Sequence, residues 1–179
     1  MTSHPPSLPE AAYRKVVKIS RFNGWSIAII AGLGSLLSLA FGDLLGGGLG
    51  LLAVACAVME IYGNVLLQRK DSHGMTWLVR AELSLLSIVL VYSISRLFSF
   101  DGEYVLSNLT PELEAMLKEA GISRGEIVPL VQLFFRAFYG AVIAVATIYQ
   151  GGLAFFYHRK TALVEEALRT LPTIVRPPS

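Results

Sequence analysis

The sequence predicts an all-α integral membrane protein with four transmembrane helices in an antiparallel up-down bundle. Three observations predict it. The 179 residues are 54% hydrophobic and only 16% charged, whereas a soluble domain carries about 25% charged residues. The apolar residues are concentrated in four long blocks. Lysine and arginine cluster in the segments that four alternating spans place on one side of a membrane.

The first block, residues 22–41, runs about 20 residues without a charge, enough to cross a ~30 Å hydrocarbon core. The second, residues 49–67, is interrupted by Glu60 and Asn64. The third, residues 75–100, holds Arg80, Glu82 and Arg96, and the fourth, residues 128–157, holds Arg136. Each block is too long for a strand and lacks strict alternation, so each is read as a helix. Four segments cannot close a barrel, which leaves helices as the structure that satisfies the backbone in lipid.

The connections follow. "GDLLGGGLG", residues 42–50, reads as a tight glycine-rich turn between antiparallel spans. "QRKDSHG", residues 68–74, is also short. Residues 101–127 form a longer loop with a short helix signal in "LTPELEAMLKEAG". There Thr110 is the N-cap, Pro111 the first helical residue, Glu112 and Glu114 the first-turn acids and Gly121 the stop. "SRGE" at residues 123–126 reads as a capping box opening the fourth helix.

Charge sets the orientation. Arg14, Lys15, Lys18 and Arg21 precede the first span, Arg69 and Lys70 follow the second, and Arg159, Lys160, Arg169 and Arg176 follow the fourth. The opposite side has Lys118 and Arg124, together with the acidic residues of the long loop. Both termini are therefore expected in the cytoplasm and the 101–127 loop outside, in a multi-pass protein of the cytoplasmic (inner) membrane. The first apolar stretch exceeds the ~7–15-residue core of a signal peptide, so a retained span is expected.

The chain divides accordingly. Residues 1–21 form a basic tail, residues 22–157 the membrane domain and residues 158–179 an amphipathic tail. In the first tail Arg14, Lys18 and Arg21 oppose Tyr13, Val16 and Val17, a pattern suited to an anionic membrane surface. In the last, Leu163, Val164, Ala167, Leu168 and Leu171 recur at helical spacing and need cover from lipid, another part of the chain or a partner.

Small residues form stripes. Span one has Gly24, Ala28, Ala31, Ser35, Ser38 and Gly42; span two has Gly50, Ala53 and Ala57 continuing to Glu60 and Asn64. Span four has Arg136, Gly140, Ala144, Thr147 and Gly151, and span three a weaker stripe in Arg80, Ser84 and Ser87. Membrane helices associate through close packing of small residues and interhelical hydrogen bonds, so these stripes are read as packed faces.

Glu60, Asn64, Arg80, Glu82 and Arg136 form the candidate intramembrane polar cluster. Glu60 and Arg80 are equidistant from Lys70 in the turn, which predicts similar depth and an Arg80–Glu60 ion pair with Asn64 beside it. Glu82 lies two residues on and points elsewhere, which leaves Arg136 as its geometrically possible partner. Arg96 is expected to snorkel outward or meet Asp101. Trp25 and Trp77 mark the inner interface, which limits the depth of Arg80 and Glu82 and gives them an alternative, structural role.

Several chemistries lack their residues. His4, His73 and His158 lie outside the spans at no metal-ligand spacing, and there is no HExxH, GxSxG or CxxC. The single cysteine, Cys56, reads as a small buried residue. The glycines of 42–50 lack a Walker lysine, and the net charge of +2 gives no reason for a nucleic-acid partner. "NLT" at residues 108–110 matches a sequon but is followed by proline. The expectation is a non-enzymatic assembly, accessory or oligomerising protein without a cofactor. Its partners would be the lipid bilayer and a second copy or another membrane protein. The alternative is a small transporter or channel that uses the polar cluster.

Overall fold

A computed structural model describes residues 8–102, 110–119, 121 and 124–170, and every described element is a helix. In chain order these are α1 (Leu8–Ala40), α2 (Leu44–Gln68), α3 (His73–Phe98), α4 (Pro111–Glu119) and α5 (Arg124–Thr170). α1, α2, α3 and α5 are long and apolar enough to cross a membrane, so the chain is a multi-pass membrane protein by length and composition. Asn108 of the sequon, Ser123 of the capping box and Leu171 of the C-terminal stripe lie outside the described residues.

α1 continues unbroken from the basic segment into the apolar block. Ala12, Val16, Ser20, Asn23 and Gly24 are buried along it at helical spacing. The face that packs in the span therefore also packs before it, and no separate surface helix forms. α2 begins at Leu44 rather than residue 49, because Asp43 caps it with a carboxylate that accepts from the Gly46 N–H at 2.9 Å. The glycines that read as a turn are mostly helix, and the true turn is Phe41–Asp43, with Gly42 at φ +79°. Glycine at position 50 serves close approach instead. A Cβ there would lie 2.6 Å from Ser35 Cβ and 3.0 Å from Ser35 Cα.

α2 ends in a Schellman motif. The Asp71 N–H donates to Leu66 O and the Lys70 N–H to Leu67 O, with Lys70 in the left-handed region at φ 64°. Asp71 then accepts from the His73 N–H at 2.9 Å and pairs with His73 Nδ1 at 2.8 Å. The backbone bond from His73 holds the Asp71 carboxyl below the usual carboxylate range.

The chain forms two compact units. One comprises the described residues up to Ile88 and those from Tyr149 onward; the other is Val89–Ile148. In the first, α1 and α2 run antiparallel, with Tyr13 bonded to Leu67, Asn64 to Val17 and Ser20, and Ser35 to Gly47. Val16, Leu67, Met75, Leu78, Tyr157, Val164 and Leu168 form its apolar core. Val164 and Leu168 of the apolar stripe at the end of α5 are thus covered by this chain's own α1, α2 and α3. In the second unit an aromatic cluster forms, with Phe135 against Phe100 and Tyr139, and Tyr92 edge-on to Tyr139. Arg96 lies over the Tyr92 ring, its Nε 3.3 Å from the hydroxyl.

Candidate functional site

The site lies within the first unit and draws one or two side chains from each of four helices. Asn23 of α1 is at its centre. Its Nδ2 donates to Glu60 Oε2 of α2 and to Glu82 Oε1 of α3, both at 2.8 Å. Its Oδ1 accepts from the Tyr149 hydroxyl of α5 at 2.9 Å. Tyr157, two helical turns further along α5, donates to Glu60 Oε1 at 3.1 Å. Glu60 and Glu82 are each 1% exposed, Asn23 3% and Tyr157 0%, whereas Tyr149 is 51% exposed and forms the outer edge of the group.

Each helix delivers its residue for a local reason. Gly24 permits the approach of α2, with Ala57 O 3.5 Å and Glu60 Oε2 3.5 Å from where its Cβ would be. On α3 the buried face is Met75, Leu78, Ala81, Glu82 and Leu85. On α5 Ala154 and Tyr157 are buried on the side that meets this core.

Beside this group lies a second, uncharged one. Asn64 Nδ2 donates to Val17 O at 2.7 Å and to Ser20 Oγ at 2.6 Å, and its Oδ1 accepts from Gln68 Nε2 at 2.5 Å. Asn64 is therefore satisfied locally and joins α1 to α2.

The Arg80–Glu60 pair does not form. Arg80 is exposed, while the Glu60 oxygens are taken by Asn23 and Tyr157. Arg80 shares the exposed side of α3 with Leu83, Ser87 and Val91, so the weak serine stripe marks the outward side. Glu82, two residues on, takes the inward position because i and i+2 point in nearly opposite directions. Arg136, the possible partner of Glu82, is exposed and belongs to the other compact unit. The cluster thus holds two carboxyls with an amide and two phenols, not carboxylates paired with arginines.

The small-residue stripes separate in the same way. Gly24 and Ser35 are buried, and Ala28, Ala31 and Ser38 are half-buried on the face towards α2. Gly140, Ala144 and Thr147 are exposed, and a Cβ at Gly140 would meet nothing within 4 Å. Gly151 is half-buried, with Leu86 3.9 Å from its Cβ position.

Ser20, Asn23, Tyr149 and Tyr157 were not singled out from the sequence as site residues. Asn23 stands two residues after Arg21 and so resembles an interfacial residue, while the tyrosines resemble membrane-belt aromatics. The available signal was the α1 face of Ala12, Val16, Ser20 and Asn23, which carries polar residues at helical spacing into an apolar block.

Among the described residues three buried side-chain oxygens lack a partner: Glu82 Oε2, Ser93 Oγ and Gln150 Oε1. No group of three His, Cys, Asp or Glu side chains suited to a metal ion occurs among them. What the site offers chemically is two carboxyl groups in a nearly dry setting, with donors for three of their four oxygens. No protein-family model matches the chain, and neither a curated protein nor a solved structure shows significant similarity to it.

Proposed function

We propose that this is a non-enzymatic scaffold of the cytoplasmic membrane, a four-span up-down bundle that assembles with a second copy or with another membrane protein. The hydrogen-bonded Asn23–Glu60–Glu82–Tyr149–Tyr157 group carries this reading. Its polar atoms tie four helices of one chain together, and Arg80 and Arg136, which a polar path would have used, lie outside it. The exposed α5 face at Arg136, Gly140, Ala144 and Thr147 supports association, because small residues allow close approach of another helix. The Lys/Arg distribution supports cytoplasmic termini.

The test is cross-linking in native membranes, with wild type compared to Gly140→Leu. A specific oligomer or complex, weakened by Gly140→Leu while the monomer stays folded, supports the proposal. A strictly monomeric, partnerless protein contradicts it.

One observation favours a second reading, a small transporter or channel: Glu82 Oε2 is buried without a donor. Intramembrane ionisable groups default to a functional hypothesis. Flux into proteoliposomes, wild type against Glu60→Gln, tests it across a panel of ions and solutes. Flux at the empty-liposome level for every solute excludes it.

A further inference from the structure

Glu60 Oε2 and Glu82 Oε1 lie 2.8 Å from the same Asn23 nitrogen, so they are no more than about 5.6 Å apart. Two ionised carboxylates at that separation, removed from water, repel strongly and each loses its hydration. The usual remedy within a protein is a cationic side chain, and among the described residues none faces the pair. The residues facing the pair are Asn23 of α1, Cys56 of α2, and Tyr149 and Tyr157 of α5. Lys18 and Arg21 on α1 and Arg80 on α3 are all exposed. Meanwhile one oxygen, Glu82 Oε2, is buried and has no donor. Ionised carboxylates only accept, so two of them facing each other cannot satisfy that atom.

We propose that Glu60 and Glu82 are a proton-binding site in which a single proton, held between the two carboxyls, supplies the donor that Glu82 Oε2 lacks. The proton is the ligand. The Asn23 amide and the Tyr157 hydroxyl fix the remaining oxygens, so the proton has one defined place. With the proton bound, the pair carries one negative charge, spread over donors from α1 and α5. Without it, two adjacent charges stand at the point where four helices meet, and the junction loosens. The site therefore couples proton occupancy to the packing of α1, α2, α3 and α5. This inference stands whether or not the chain assembles with a partner.

The experiment is infrared spectroscopy of the full-length protein in nanodiscs, titrated from acid to alkaline pH in H₂O and in D₂O. The expected result is a protonated-carboxyl C=O band at neutral pH that shifts in D₂O and disappears in both Glu60→Gln and Glu82→Gln. An amide N–H replaces the shared proton in each variant. The wild-type titration alone decides the point should either variant fail to fold: absence of the band at neutral pH overturns the proposal. So does persistence of the band in both variants. Loss of the wild-type band on adding Na⁺ or K⁺ at constant pH also overturns it, by showing a cation site instead.

Discussion

Gly74 is the position where the packing leaves least room. It follows His73 in the first turn of α3, and its hypothetical Cβ would lie 2.5 Å from Gly63 O, 2.7 Å from Leu67 Cγ and 2.9 Å from Leu67 N. Two of those three atoms are backbone, so a rotamer change cannot relieve them. An ordinary contact begins near 3.4 Å, so α2 and α3 must separate by the better part of an ångström at the carbonyl to admit one methyl group. Overpacking of this kind costs about 1–3 kcal/mol. Replacing glycine in a helix returns up to about 1 kcal/mol. The expected result for Gly74→Ala is a net loss of about 1 kcal/mol, from about 2 kcal/mol of overpacking less about 1 kcal/mol regained. Gly140→Ala, whose Cβ meets nothing, is the matched control and gains up to about 1 kcal/mol from the same helix preference. Reversible unfolding in detergent, followed by tryptophan fluorescence, measures both. Trp77 is a local reporter because it packs edge-on against Tyr62, with ring centroids 5.4 Å apart. A neutral or stabilising Gly74→Ala would refute the close α2–α3 approach.

Three further outcomes follow from named contacts. Leu67→Ala removes a fully buried side chain from the core that Val16, Val164 and Leu168 share, and should cost about 2–5 kcal/mol in the same unfolding assay. Asp43→Ala removes the α2 N-cap and should cost about 1 kcal/mol, whereas Asp43→Asn should restore most of it. Asp71 gives a pH dependence. Its folded pKa is depressed by the His73 N–H, so its contribution is present above the unfolded carboxylate pKa and is lost as pH falls through the lower folded value. A small acid-side drop in wild-type stability that Asp71→Asn lacks is the expected difference between their pH profiles.

The helices themselves were legible because apolar length is a strong signal, and α1, α2, α3 and α5 overlap the four apolar blocks. Their ends were not. The glycines at 46–48 look like a turn in isolation, and only the Asp43 cap and the adjacent α1 show why they join α2. The site was half legible. Glu60, Asn64 and Glu82 are chemically conspicuous in apolar blocks, and all three are buried. The partner of each depends on helix rotation, which turns by about 100° per residue. Depth matching with Lys70 as the pivot suits Glu60 and Arg80, but depth does not set rotation. Leu78, Ala81 and Leu85 show which side of α3 turns inward, and Glu82 belongs with them while Arg80 does not. The appeal of an ion pair concealed the second solution: two carboxyls joined through a neutral amide. Asn23, the amide in question, carries no charge and stands two residues after Arg21, so its sequence context matches that of an interfacial residue.

Asn23 joins the buried carboxyls, and Arg80 takes no part. A double-mutant cycle in nanodiscs tests it directly, with Asn23→Leu and Glu60→Leu as one pair and Arg80→Ala and Glu60→Leu as the other, since leucine removes the acceptor that glutamine would keep. Interhelical hydrogen bonds in membranes give coupling energies of about 0.6 kcal/mol, and up to about 1.7 kcal/mol. The expected result is a coupling in that range for Asn23 with Glu60 and none for Arg80 with Glu60. A coupling confined to the Arg80 pair would contradict it.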